Sequence, residues 1–171
     1  GRVSGARRLI GNFSDLPEVM RFVNSAEAEQ LAHLGTSCPD HFIRTKVRPL
    51  FVRWQPGADV QELREQIDCA LKNYRKEYAE YYSSFAQPDS PAMRDANPTV
   101  VLIPGIGMFS FGKSKTEARL TGEFYINAIH VMEGATSMDT GKTPATLPQA
   151  GPAAPTSAFT VHSNYVALPP S

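Results

Sequence analysis

The residues with the clearest chemical potential lie close together: Asp40-His41, then Arg44, Lys46 and Arg48. Read as an extended chain, Phe42, Arg44, Lys46 and Arg48 share one parity, with Ile43, Thr45 and Val47 on the other. That sets three cations on one face. Alternating cations suit a phosphate or a carboxylate, arginine through its two-pronged fork. Asp40 is placed to orient the His41 imidazole. Gly105 and Gly107 mark a turn, and Lys113 with the amides up to Thr116 stands at a helix start, where N–H groups favour an anion. His41, Arg44, Lys46, Arg48, Gly105, Gly107 and Lys113 therefore form a candidate anion pocket if both stretches reach one sheet edge. The plainer reading puts these charges on a solvated strand face or against the acids of a neighbouring domain.

Other chemistries find less support. The four histidines, His33, His41, His130 and His162, are dispersed, and no His-x-His, His-Glu-x-x-His or paired Cys-x-x-Cys occurs. Gly105-x-Gly107 is not a nucleotide fingerprint, because position 110 is Ser and the pattern should lead straight into a helix. Cys38, near His41, reads as a structural thiol. Ser37 and Ser110 lack the setting of a nucleophile. No catalytic residue and no metal ligand is assigned.

The elements that must carry these residues can be read from periodicity. Val100 to Ile103 is a wholly apolar run suited to a buried strand. Pro104, Gly105 and Gly107 break it, and Met108 to Phe111 resumes as a second strand. Ser114 with Glu117 reads as a capping box for a helix carrying Leu120, Phe124, Ala128 and Val131, which Gly134 should end. Asp59 with Glu62 reads as another capping box. It opens the longest helix, with Val60, Leu63, Ile67, Leu71, Tyr74, Tyr78, Tyr81 and Phe85 in one stripe; from 60 to 85 it would run about 39 Å. Its tyrosine-rich second half is suited to meeting a partner.

Earlier in the chain, residues 1–16 read as a basic lead-in with a loop, and Val19 to Val23 as a weakly alternating strand. Asn24 with Glu27 opens a short helix over Ala26–Leu34 that Gly35 ends. Leu50 to Val52 reads as a buried strand and Gln87 to Pro98 as a surface loop. Residues 17–135 then form one domain and 136–158 a Pro/Ala/Thr linker. Residues 159–171 hold a last edge strand and an extended exit. The expected fold is α/β: a three-layer arrangement with a mixed sheet of four to six strands and two or three packed helices.

Composition narrows the functional classes. Seventeen basic residues balance seventeen acidic ones over 171 residues, which gives no electrostatic support for nucleic acid or a membrane surface as partner. Two cysteines, Cys38 and Cys69, are too few for a disulfide framework, so a cytoplasmic setting is expected. Gly1 has no methionine before it, as after a tag remnant or in a piece cut from a longer chain.

A family resemblance adds to this. Ile106-Gly-Met-Phe-Ser-Phe-Gly-Lys-Ser-Lys-Thr-Glu-Ala118 resembles the segment of class II (zinc) aldolases that carries a metal-binding histidine, but here Ile106 stands at the histidine position. Gly35 to Leu50, Asn97 to Gly134 and the ending Tyr165 to Pro170 resemble the bifunctional rhamnulose-phosphate aldolase/short-chain dehydrogenases of rhamnose metabolism. The likeness covers most of the chain except residues 136–158. It implies a class II aldolase-like fold with a degenerate metal site, lying between an aldolase domain and a dehydrogenase domain. The parent would be an oxidoreductase using NAD and zinc, with neither cofactor held in this segment. The expected role is a non-catalytic connecting or oligomerisation module, with the flanking domains or a second copy as partners. The alternative is a binding module for a phosphorylated sugar or another anion, and a second alternative is a metal-dependent lyase.

Overall fold

The computed structural model describes residues 2–140. Strand β1 (Ile10–Ser14) is followed by three short helices, α1 (Pro17–Val23), α2 (Ala28–Leu34) and α3 (Pro39–Thr45). Then come β2 (Leu50–Phe51), the long helix α4 (Val60–Phe85), the hairpin β3 (Val100–Ile103) and β4 (Gly107–Gly112), and α5 (Lys115–Thr140). The sheet is mixed, in the order β1-β4-β3-β2. β2 runs parallel to β3, while β3 with β4 and β4 with β1 are antiparallel.

β3 explains the architecture. Its four residues are all buried, and alternate side chains leave a strand on opposite faces. Val100 and Leu102 join a core with Val19, Phe22, Leu31, Tyr125, Ile129 and Met132, from α1, α2 and α5. Val101 and Ile103 join a second core with Leu50, Val52, Leu71 and Tyr74, the last two from α4. One face of the sheet is therefore covered by α5, α1 and α2, and the other by α4. Gly122 lets α5 lie close on β4, since a Cβ there would come within 2.8 Å of Ser110 Oγ.

The α/β class and a four-stranded mixed sheet agree with the sequence, but there are five helices among the described residues rather than two or three. Two expected strands are helices. Val19 to Val23 belongs to α1, which opens on Pro17 with Glu18 in its first turn and buries Val19, Phe22 and Val23 at helical spacing. Phe42 to Thr45 belongs to α3, which opens on Pro39 with Asp40 early and Arg44 late. The lead-in contains a strand, β1, registered along β4 from Ile10 opposite Gly112 to Ser14 opposite Met108.

The long helix, the hairpin and the end of α2 at Gly35 lie where the sequence puts them. The capping boxes differ. α4 and α2 have no side-chain cap, and Asn24 instead bonds the Met20 carbonyl and the Gly105 amide. At α5 the Glu117 amide donates to Ser114 Oγ, and the Glu117 carboxylate accepts from the amide of Lys113 rather than of Ser114. Gly134 does not end α5, which continues to Thr140 because Ala135 and Thr136 beyond it are buried. Thr136 to Thr140 is therefore helix, not linker. The rest of the expected linker and the expected strand at 159–161 lie outside the described residues. No helix among those described is long and apolar enough to cross a membrane.

Candidate functional site

The ends of α3 and α4, the 93–99 loop and the start of α5 enclose a cleft of about 690 Å3. Arg7, Arg44, Lys46, Arg94 and Lys113 line it, with only Asp95 and Glu117 as acids. Phe42, Tyr78, Tyr81 and Phe111 add aromatic surface. The topology brings these together because β4 ends where β3 begins: the Phe111 amide bonds the Thr99 carbonyl at 2.8 Å, which sets Lys113 beside the 93–99 loop.

Both acids are already engaged. Asp95 pairs with Arg7 at 3.3 Å and accepts from the Asn97 amide at 2.8 Å. Glu117 caps its own helix through the Lys113 amide at 2.7 Å. Among the described residues no carboxylate pairs with Arg44, Arg94 or Lys113. Arg44 lies over the Phe124 ring, 5.0 Å from its centroid, and so keeps its charge without an anion.

Lys46 sits differently. It directly follows α3 with φ 62° and ψ −172°, a backbone region that glycine alone ordinarily occupies, and it is the only non-glycine residue with positive φ among those described. Its Nζ donates to the carbonyls of Asp95 and Asn97 and lies 4.2 Å from the Tyr78 centroid. The loop it holds is also gripped from α4, where Arg75 donates to Asn97 Oδ1 at 2.7 Å. Burial pushes the Lys46 amine down to about 8; Asp95 opposes this, and Arg7 and Arg94 add to it.

A pH dependence follows. The unfolded chain carries the ordinary lysine value near 10.5, so between pH 8 and 10.5 it binds more protons at Lys46 than the folded chain does. Stability should therefore rise with pH through that window, by on the order of 1–2 kcal/mol after discounting for partial exposure. Urea midpoints measured across pH 7.5 to 9.5, below the range where the Tyr74 and Tyr78 hydroxyls, whose pKa burial raises, oppose the trend, should show the rise in wild type and not in Lys46→Met.

The expected pocket is only partly assembled. Arg44, Lys46 and Lys113 share the cleft. Arg48 does not: it pairs with Glu77 at 2.8 Å in a separate groove with Glu29, His33 and Arg53. The helical form of α3 is the reason, since it dissolves the common face that an extended chain would give the three cations. His41 is buried with its ring nearly perpendicular to that of Phe124, centroids 5.4 Å apart, and it does not line the cleft. Burial lowers its pKa, with Asp40 opposing, and Nδ1 has no partner. Gly105 and Gly107 lie at the far end of β3, at least ~13 Å from Thr99 by strand rise, where they shape the hairpin with φ 72° and 131°. Arg7, Arg94, Tyr78 and Tyr81 were not legible as site residues, because they come from the lead-in, a proline-rich loop and the apolar stripe of α4.

The donors for zinc do not fit. Ile106 is partly buried against the core under α4, and among the described residues no three His, Cys, Asp or Glu side chains cluster to hold a metal ion. Nor does the Gly105–Gly107 turn fit a dinucleotide, since it joins two antiparallel strands rather than a strand and a helix. Cys38 and Cys69 are free thiols.

Comparison with known proteins gives two findings. The profile of the family described as "Aldolase class II, second domain" matches residues 1–143. A protein named as the uncharacterized oxidoreductase YuxG, from Bacillus subtilis, is 38% identical over 139 residues, which is 81% of this chain and 20% of that relative. The chain thus spans about a fifth of the relative's length. No solved structure matches.

Proposed function

We propose that this chain, which belongs to the family of class II aldolase second domains, is a non-catalytic module of a longer enzyme and that its cationic cleft holds a phosphorylated sugar or a similar anion. The observation that carries the reading is the convergence of five cations from four parts of the chain on one cleft whose two acids are already engaged. Three of the five, Arg44, Arg94 and Lys113, have no carboxylate partner among the described residues, so they give an anion charge-assisted hydrogen bonds without first breaking an ion pair. In this reading the parent joins class II aldolase chemistry on a ketose 1-phosphate to a short-chain, NAD-dependent dehydrogenase. The catalytic groups, the zinc and the NAD belong to the flanking domains, and the setting is cytoplasmic. The second-domain family and the relative's name as an oxidoreductase support that parent.

Calorimetric titration tests the reading. A ketose 1-phosphate should bind, the same ketose without phosphate should not, and affinity should fall as salt is raised from 0.05 to about 0.3 M. Binding should also weaken as pH rises past about 8, where Lys46 loses its charge. The pure connector or oligomerisation role rests on a different observation, the ring ladder Tyr78–Tyr81–Phe85 on α4 with Phe85 exposed. It predicts no heat from any of these ligands, and that result would favour it over the binding reading. A metal-dependent lyase draws no support from the donor set described above.

A further inference from the structure

We infer that the open edge of β1 pairs with β1 of a second copy of this chain, antiparallel and across a two-fold axis at Asn12, so that the two sheets become continuous. The inference does not depend on the reading of the cleft, and it uses a different surface from the ring ladder on α4.

Hydrogen-bond direction identifies the edge. β1 ends the sheet, with β4 on one side only. The Phe111 amide donates to Thr99, so the backbone groups of Phe111 face β3 and those of Ser110 and Gly112 face β1. Ile10, Asn12 and Ser14 answer from β1, which turns the N–H and C=O of Gly11 and Phe13 outward. An unpaired edge is a template for another strand, and proteins commonly guard one with a charge, a proline or a bulge. Ile10–Ser14 has no charge and no proline, and it pairs with β4 residue for residue. Ile10 and Phe13 are 45% and 48% exposed, and Leu16 just beyond them is 47% exposed.

Self-complementarity selects a second copy as the occupant. In the antiparallel register centred on Asn12, Phe13 stands opposite the partner's Gly11, and Gly11 opposite the partner's Phe13. Each such pair exchanges two backbone hydrogen bonds. Gly11 and Phe13 share the sheet face of Phe111 and Phe109, so each Phe13 ring can cover the gap that the partner's glycine leaves. Charge follows the same symmetry. Arg8 precedes the strand and Asp15 follows it; both are exposed, and neither has an ion pair among the described residues. Antiparallel pairing sets the Arg8 of each copy near the Asp15 of the other, whereas parallel pairing in register would set like charges together.

Sedimentation equilibrium of the full 171-residue chain, from about 1 to 100 µM, should show a reversible monomer–dimer equilibrium. Arg8→Glu and Asp15→Arg should each weaken it about tenfold, because each places like charges together on both sides of the axis, and the two combined should restore it. Cross-linking tests the register. With Cys38 and Cys69 replaced by serine, Asn12→Cys should give a disulfide-linked dimer under mild oxidation, since Cα atoms opposed in this way lie about 4.5 Å apart, within disulfide range. Ile10→Cys should not link, because the two copies of residue 10 lie about 13 Å apart along the strands. A chain that stays monomeric across this range, as it would if a strand of a flanking domain were the occupant, overturns the inference. So does a dimer that the charge variants leave unchanged, or one that links through Ile10→Cys and not through Asn12→Cys.

Discussion

Replacing Arg44 and Lys113 together by alanine should weaken binding of a ketose 1-phosphate by about 3–6 kcal/mol, on the order of 10^2- to 10^4-fold in dissociation constant. Both residues line the cleft and neither has a carboxylate partner among the described residues, so each can give an anion a charge-assisted hydrogen bond. The same absence makes the variant tolerable to the fold. What is lost internally is the stacking of Arg44 over Phe124, about 0.5–1 kcal/mol. Arg48→Ala is the control. It stands only a few residues from Arg44, but it pairs with Glu77 in another groove, and it should leave the affinity unchanged. Equal losses in Arg48→Ala and the double variant, measured by calorimetry, would contradict the assignment of the cleft.

The largest effect on stability is expected at Glu133. Its side chain is 6% exposed, and its carboxylate takes two hydrogen bonds from Arg21, at 2.8 and 2.9 Å. This pair ties α1 to the second half of α5, one residue before Gly134, where the helix has least intrinsic stability. Glu133→Ala leaves the guanidinium half-buried without its partner, and removing one member of a buried pair costs about 3–5 kcal/mol. Arg21 is 29% exposed and keeps some access to water, so about 2–4 kcal/mol is the expected loss. Against a typical domain stability of roughly 5–15 kcal/mol that is a large share. Glu123→Ala offers the contrast, since Arg119–Glu123 is an exposed pair one helical turn apart, worth about 0.5 kcal/mol or less. Urea unfolding should separate the two variants clearly, and equal shifts would mean that the Arg21–Glu133 pair does not hold α1 on α5.

Much of the fold was legible where periodicity runs long. The stripe from Val60 to Phe85 and the apolar run from Val100 to Ile103 each repeat one signal with nothing competing. The errors share a cause. α1 and α3 are seven residues each, about two turns, too short for a 3.6-residue period to stand out from alternation. Both begin with a proline and an acid, Pro17-Glu18 and Pro39-Asp40, and that start signal outweighs the apparent alternation. An extended chain over these residues would align Arg48 with Arg44 and Lys46, and the helix α3 removes that alignment. Gly134 fails as a stop because Met132, Glu133 and Ala135 around it are buried, and packing overrides a glycine's weak preference.

The site was legible in part for the same physical reason. Arg44, Lys46 and Lys113 announce themselves as cations near turns or helix ends. Arg7 and Arg94 reach the cleft only through long-range pairing, β1 along β4 and the Lys46 hold on the 95–97 carbonyls. No local spacing encodes either.

The most direct test of the central claim is hydrogen–deuterium exchange on the full chain, with and without a ketose 1-phosphate. The cleft reading predicts slowed exchange at residues 42–47, 94–97 and 113–117, with the groove around Arg48 and Arg53 unchanged. Slowing confined to that groove, or none under conditions where a ligand site would be filled, would contradict it.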